Sequence, residues 1–268
     1  MKSWHRKLVS AAAVVLVTAL PALAQPPDGT TVYTRVALWQ IARPTWDAYA
    51  ADIQKNTVPV LDKMLADGLI TEYGVASSVV HTPDGFTHVT WFSSKTIAGL
   101  EKALAGLEAL SAKLSPADRR REDTEFAGSR HADALVSSRI VRGRSAKLTS
   151  GYLYLANDVV QPGKVQAYND RYEKLQRPVM ETLFADGTVN SFGVDNEYIH
   201  TANPGARVRW YVVASAEGID KVNAAGQAAN QARTPAERDA AAQAAREILD
   251  GAAHRDELWR IAAYASKY

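Results

Sequence analysis

The feature that most constrains this chain is a repeat, because two blocks of its sequence match at a constant spacing of 119 residues. The matches are short and occur in the same order in both halves. They are Pro59-Val60 with Pro178-Val179, Ala66-Asp67-Gly68 with Ala185-Asp186-Gly187, Gly74-Val75 with Gly193-Val194, His81-Thr82 with His200-Thr201, Trp91 with Trp210, and Gly99 with Gly218. A long fixed period of this kind indicates a duplicated domain.

The N-terminus has the three parts of a secretory signal peptide. Basic residues (Lys2, Arg6 and Lys7) precede an apolar run from Leu8 to Leu20, and Ala22-Leu23-Ala24 forms a small-x-small cleavage site. The run is shorter than the roughly 20 residues that span a bilayer, so an uncleaved anchor is the less favoured alternative. We therefore expect residues 1–24 to be removed and the protein to be periplasmic or secreted.

Composition limits the partners and the chemistry. Cleavage would leave 28 basic residues against 29 acidic ones. The basic residues are interspersed with acidic ones, which argues against nucleic acid as a partner. Cys is absent, which excludes thiol catalysis, thiolate-bound zinc and Cys-ligated iron–sulfur clusters. No other stretch is apolar enough to predict a membrane span after cleavage.

Each half predicts the same order of elements: strand, helix, strand, strand, helices, strand. Hydrophobic alternation marks the first three strands of each half, at Thr31–Gln40, Ile70–His81 and Phe86–Ser93, and at Gly151–Asp158, Val189–His200 and Ala206–Ala214. Pro59 and Pro178 lie inside helical patterns and should kink or split those helices. Thr96, Ser215 and the capping box that begins at Thr234 predict helix starts. We assign repeat 1 to residues 31–142 and repeat 2 to residues 150–268.

The duplicated βαββαβ order resembles the ferredoxin-like units of the dimeric α/β-barrel superfamily. That superfamily includes antibiotic-biosynthesis-type monooxygenases, EthD-like proteins and chlorite dismutases. The resemblance implies an α+β fold in which two four-stranded sheets face each other and helices cover the outside. A tandem chain would supply both sheets, giving a monomer with an internal pseudo-two-fold axis. For activity, the resemblance implies cofactor-independent oxygenase- or isomerase-like chemistry; no haem-ligand motif can be aligned, and no cofactor is expected.

The strand pattern predicts which face of each sheet meets the helices. We assign Tyr73, Val75, Phe192, Val194, Leu153 and Leu155 to the helix side. The opposite face would line the space between the sheets with aromatic and charged residues: Tyr33, Arg35, Trp39, Glu72, His88, Tyr152, Tyr154, Asp158, Asp195, Glu197, Arg207, Arg209 and Tyr211. Such a set suits an orienting pocket for a small organic molecule, although a polar seam between sheets is the simpler alternative.

The two copies differ on this predicted inner face, which suggests one asymmetric site. We expect Arg209 to hold an anionic group and, without ligand, to pair with Asp195 or Glu197. Either carboxylate could orient the ligand or take a proton, and His200 is a further candidate base. Tyr154 would pack against the ligand ring. Tyr211, Trp39 and Arg35 complete the predicted ligand-binding set.

The histidines, His200 among them, also have structural explanations. The His-Thr pairs at 81–82 and 200–201 adjoin turns, where the hydroxyl can satisfy backbone groups and the imidazole can pack on Trp91 or Trp210. His131 and His254 follow predicted helices, where a cation suits the helix dipole. No metal site is predicted. Phosphate loops, HExxH, GxSxG and EF-hand motifs do not occur in the sequence.

Two functional readings remain open at this stage. The first is an exported barrel that binds a small aromatic or anionic molecule and has oxygenase- or isomerase-like activity if it is an enzyme. The second is a non-catalytic envelope protein that serves interaction or scaffolding. A closed, occupied cavity favours the first reading, and a solid core between the sheets favours the second.

Cleavage after Ala24 is testable by intact-mass analysis of the protein from the cell envelope. The expected N-terminus is Gln25, in free or cyclised form. A mass that retains Met1 would contradict the leader.

Overall fold

The structure, a computed structural model, describes residues 31–126, 129–199 and 205–268. The predicted leader and the His200-Thr201 pair lie outside the described residues. The strands are β1 (Tyr33–Gln40), β2 (Glu72–Ser78), β3 (His88–Ser94), β4 (Arg130–Gly143), β5 (Ala146–Leu148), β6 (Gly151–Val159), β7 (Ser191–Glu197), β8 (Ala206–Val213) and β9 (Arg255–Ser266). The α-helices are α1 (Trp46–Asp52), α2 (Val58–Ala66), α3 (Ile97–Ser111), α4 (Pro116–Phe126), α5 (Val165–Leu175), α6 (Arg177–Ala185), α7 (Ala216–Gln231) and α8 (Pro235–Ile248).

Eight strands of the described chain close into one antiparallel barrel. The first half contributes the order β2-β3-β1-β4 and the second half the order β7-β8-β6-β9. β4 pairs with β7, and β9 pairs with β2, so the last strand of each half joins the second strand of the other. The short strand β5 pairs with the C-terminal end of β9, beyond the stretch of β9 that pairs with β6. The predicted α+β barrel is confirmed.

Helices pack on the outside of the barrel, one layer over each half. Tyr49 and Leu61 belong to a buried cluster with Tyr73 and Phe92 of the sheet, and an equivalent cluster lies in the second half. None of the described helices has the length and apolar character needed to cross a membrane.

Both prolines interrupt their helices, as predicted. Pro59 lies in the first turn of α2, directly after a π-helical stretch, Ile53–Thr57, that separates α2 from α1. Pro178 lies in the first turn of α6, and the helix is interrupted at Gln176, between α5 and α6. Proline lacks the N–H that a continuous helix needs and clashes with the preceding turn, so each helix divides there.

The prediction of inside and outside was partly wrong. Tyr73, Val75, Phe192 and Val194 do pack against helices. Leu153 and Leu155 instead point into the barrel, where they pack with Trp259 and Tyr264. Tyr152, Tyr154 and Asp158 alternate with these leucines along β6 and therefore face the helices. The aromatic and charged residues at the matching positions of β1 and β8 face the helices as well. A closed barrel excludes water from its interior more completely than the helix-covered surface does, so the aliphatic residues occupy the interior.

Two repeated glycines make room for two repeated tryptophans. Gly74 lies opposite Trp91 across β2 and β3, and Gly193 lies opposite Trp210 across β7 and β8. A Cβ atom at Gly74 would come within 2.0 Å of the Trp91 ring, and one at Gly193 within 2.6 Å of the Trp210 ring. The recurrence of these residues in the sequence therefore has a packing explanation.

Two buried carboxyl groups lie inside the barrel. Glu72 accepts hydrogen bonds from Trp91 Nε1 (3.0 Å) and Tyr264 Oη (2.9 Å), and Asp195 accepts one from Ser138 Oγ (2.8 Å). Burial raises the pKa of Glu72 to about 7 and that of Asp195 to about 6. A cavity of about 80 Å³ lies beside them, and a buried cluster that includes Trp91, Trp259 and Tyr264 packs the described interior around it. The space between the sheets is therefore largely filled by side chains.

The closure of the barrel predicts how separated halves behave. A chain ending at Arg144 exposes the edges of β2 and β4 and half of the interior, so neither half alone should be a stable monomer. Co-expressed with a chain that begins at Ser145, it should co-purify in equal amounts and give the circular dichroism spectrum of the intact protein. Two stable, monomeric, non-associating halves in light scattering would contradict a shared barrel.

Candidate functional site

The structure separates the predicted site residues into three places. Tyr154, Arg209 and Tyr211 come together on the outer surface of the second half, in a cavity between the sheet and the helices. Arg35 and Trp39 line a corresponding cavity in the first half. Asp195 faces the small cavity inside the barrel, and Glu197 lies at the end of the same strand. His200 lies outside the described residues.

A single site between the sheets is therefore ruled out for this residue set. Along β8, Arg209 and Tyr211 alternate with inward-facing Val208 and Val212. Asp195 lies opposite Val208, so its side chain and that of Arg209 lie on opposite faces of the sheet. The expected pairing of Arg209 with Asp195 was wrong for this reason.

The larger site, which we call the second-half cavity, has a volume of about 320 Å³. Its floor is the outer surface of the sheet, with Tyr154, Arg209 and Tyr211. Its walls come from α5 to α7 and from the second residue after the end of α7, and they include Arg171, Tyr172, Gln176, Val222, Asn223, Gly226 and Arg233. All the charged side chains among these described lining residues are arginines.

Asp158 holds Arg209 in place from behind the floor. Arg209 Nε lies 2.7 Å from Asp158 Oδ2, and Arg209 Nη2 lies 3.4 Å from Asp158 Oδ1. Tyr168 Oη (3.1 Å) and His254 Nδ1 (2.9 Å) also bond to this carboxylate, whose side chain is 1% exposed. Burial alone would lower the pKa of Arg209, but the Asp158 hydrogen bond and charge outweigh burial and raise it. Arg209 is thus a charged group with its charge already balanced.

Arg171 is different, because it has no such partner. Its Nε atom is buried and makes no hydrogen bond within the described chain. Burial and the neighbouring positive charge of Arg209 lower the pKa of Arg171. It stays protonated at neutral pH, since an ordinary guanidinium titrates far above that range. A cation in this state gains most from an anion that enters the cavity.

Two tyrosines form an aromatic surface next to these cations. The rings of Tyr154 and Tyr211 stack with centroids 4.9 Å apart and planes 19° from parallel. Tyr154 Oη donates a hydrogen bond to Asp256 Oδ1 at 2.6 Å. Burial raises the pKa of Tyr211 to about 12, and burial with the Asp256 contact raises that of Tyr154 further. Both phenols are therefore neutral at physiological pH, and the Tyr154 O–H is already donated to Asp256.

The corresponding first-half cavity, lined by Arg35, Trp39, Leu104, Leu107 and Leu114, has the opposite character. Its volume is about 230 Å³. The Arg35 guanidinium is paired with Asp133 at 2.7 Å. Asp52, also in the lining, is paired with Arg121 at 2.7 Å. The described charges that line this cavity are therefore balanced locally, and aliphatic side chains fill much of its helix wall.

The histidines outside the cavity have structural partners. The ring of His131 stacks on Trp39 at 3.8 Å, and that of His81 packs against Trp46 at 4.8 Å. The expected contact of His81 with Trp91 was wrong, because Trp91 faces the barrel interior. No group of three or more His, Cys, Asp or Glu residues in the described ranges could hold a metal ion.

Sequence reasoning missed Arg171, Gln176 and Arg233. A signal was available in the repeat. At the same 119-residue spacing, Asp52 corresponds to Arg171 and Leu114 to Arg233. Both changes add positive charge to the second half. Comparing the copies on the helices as well as on the strands would have identified them.

Comparison with known proteins shows the fold and no more. No family model matches the sequence, and no curated protein matches it. A solved structure from Lactobacillus acidophilus NCFM has a TM-score of 0.59 at 12% identity, over 88% of this chain and 96% of that one. One from Fusobacterium nucleatum subsp. nucleatum has a TM-score of 0.60 at 9% identity, over 89% and 95%. This chain has the dimeric α/β-barrel fold. Both structures are named "putative monooxygenase", and at these identities only the fold transfers.

Replacing Arg209 tests the role of its ion pair. Arg209→Ala should lower the free energy of unfolding by about 2 kcal/mol, because it removes the strongest partner of a buried carboxylate. This decrease is smaller than the one expected if Arg209 were the sole partner of Asp158, because His254 still bonds to that carboxylate. Adding Asp158→Asn should recover part of the loss in urea titrations. If Arg209→Ala unfolds at the same urea concentration as the parent, the pair is not structural.

Proposed function

We propose that this protein binds a small aromatic acid in the second-half cavity. The observation that carries the proposal is that the charged side chains of the described lining are all arginines, next to the stacked rings of Tyr154 and Tyr211. An aromatic body can pack on the tyrosines and the apolar helix wall, while its acidic group meets the guanidinium groups.

The lining favours binding over proton-transfer catalysis. Tyr172, Gln176 and Asn223 offer hydrogen-bond donors, but the described lining contains no imidazole or carboxylate that could serve as a base. Asp158 lies behind Arg209 and is paired with it, and Asp256 accepts the hydrogen bond of Tyr154. We therefore propose ligand binding as the function, with oxygenase- or isomerase-like chemistry as an extension that needs a base from outside this lining.

The scaffolding reading draws support from the interior of the barrel. That interior is packed around Trp91, Trp259 and Tyr264, as expected for a protein without a site between its sheets. The second-half cavity, however, lies outside the sheet and is about four times the volume of the interior one. We therefore keep ligand binding as the proposal.

We also propose that the two halves arose by duplication and that the protein is exported. The repeat spacing supports the first point, as do two reciprocal contacts after the last strands. Arg144 N bonds to Asn190 O (3.2 Å), and Lys267 N bonds to Thr71 O (2.8 Å), at corresponding positions of the two halves. The leader sequence supports export, which the intact-mass measurement tests. The split-chain experiment tests the shared barrel.

A leucine at Gly226 should block the site without damaging the fold. Gly226 lies in α7 on the cavity wall, and a Cβ atom there meets nothing within 4 Å. The corresponding residue of the first half is Leu107. Gly226→Leu should weaken binding of 8-anilinonaphthalene-1-sulfonate, a fluorescent aromatic anion, at least tenfold in a fluorescence titration. It should also stabilise the protein by up to about 1 kcal/mol, since glycine is a poor residue for a helix interior.

Ala228→Leu is the matched control, because Ala228 is exposed on the same helix and does not line the cavity. It should leave dye binding unchanged. Dye binding that is equal in the parent, Gly226→Leu and Ala228→Leu would place the dye elsewhere and contradict the proposal.

A further inference from the structure

The second-half cavity has more positive charge than its surroundings neutralise. Arg171, Arg209 and Arg233 line it, and Asp158 neutralises only Arg209. Glu237 lies near Arg233 and caps its own helix by accepting hydrogen bonds from Thr234 N (2.8 Å) and Thr234 Oγ1 (2.9 Å). Within the described chain it forms no ion pair with Arg233, whose Nη1 donates to Asn230 Oδ1 at 3.5 Å. Two guanidinium groups, one on α5 and one just after α7, therefore remain for a ligand.

Of these two arginines, Arg171 has the greater need of an anionic partner. It is partly buried, its Nε has no hydrogen-bond partner within the described chain, and no carboxylate of the described chain forms an ion pair with it. Asp158 and the hydroxyl groups of Tyr168 and Tyr172 face the same region, but Asp158 already bonds to Arg209 and His254. A partly buried cation that lacks an ion pair is destabilising, and an entering oxyanion would reduce that cost.

We propose that the ligand carries a doubly negative oxyanion next to its aromatic body, and that Arg171 and Arg233 bind that group. The inference rests on the proposed function and narrows its ligand class. Two guanidinium groups match two negative charges, and a planar guanidinium can donate two parallel hydrogen bonds to a phosphate or carboxylate. Aryl phosphates and aromatic dicarboxylates share this chemistry. Arg209, which is already paired with Asp158, then forms part of the cavity floor and does not neutralise the charge of the ligand.

Phenyl phosphate and benzenesulfonate test the charge requirement, because they have similar shapes. The phosphate carries close to two negative charges at pH 8 and close to one at pH 5, since its second pKa is about 6, whereas the sulfonate carries one at both. Calorimetry at pH 8 should show phenyl phosphate binding at least tenfold more tightly than benzenesulfonate. At pH 5 the preference should fall to about threefold or less. Phthalate at pH 8 distinguishes the two ligand sources: tighter binding of phthalate than of phenyl phosphate indicates a dicarboxylate.

Arg171→Gln should abolish the preference for the dianion at pH 8, and Arg171→Lys should retain part of it. The fold should survive, because no described carboxylate loses its partner. Arg246→Gln removes the same charge from an exposed site on α8 outside the cavity and should keep the preference.

Two outcomes would overturn the inference: equal affinities for phenyl phosphate and benzenesulfonate at pH 8, or an unchanged preference in Arg171→Gln. The proposed function fails separately, if Gly226→Leu does not weaken binding of either compound. If Gly226→Leu weakens benzenesulfonate binding but the parent shows no preference for the phosphate, only the dianion inference fails.

Discussion

The structure depends on two equivalent strand pairings that join its halves. β4 pairs with β7 and β9 pairs with β2, each over the length of the shorter strand. Without them each half would be a four-stranded sheet with two open edges and an exposed apolar face. Closure converts those faces into one interior, which holds three tryptophans, Trp91, Trp210 and Trp259, and Tyr264. The polar side chains on the opposite face are thereby left to the surfaces beneath the helices.

Barrel closure explains why the candidate site lies where it does. With the interior largely filled, the two cavities that matching residues of the halves line both lie between sheet and helices. The first half fills its helix wall with leucines, including Leu104 and Leu107, and pairs its lining charges. The second half has Asn223 and Gly226 at the corresponding positions, and Arg171 Nε has no hydrogen-bond partner within the described chain. The two cavities thus have different surfaces, and among the described lining residues the unpaired charge lies in the second half.

Much of the fold could be predicted from local rules and from the repeat. The element order, the helix breaks before Pro59 and Pro178 and the capping box at Thr234 follow from backbone chemistry that acts over a few residues. The inside and outside of β6 could not be predicted, because Leu153 and Leu155 alternate with Tyr152 and Tyr154 and both faces are mainly apolar. Only the pairing of distant strands decides between them. The position of Arg171 in the cavity depends on how α5 packs over β6 and β8. The strand patterns of the sequence do not predict that packing.

A crystal of the protein soaked with 4-iodobenzenesulfonate would test the central claim most directly, because anomalous scattering locates iodine without assumptions about the ligand. The account predicts an iodine peak in the second half, beside the stacked rings of Tyr154 and Tyr211 and beneath α7. A peak inside the barrel between Trp91 and Trp210, or in the first half beside Trp39, would contradict it.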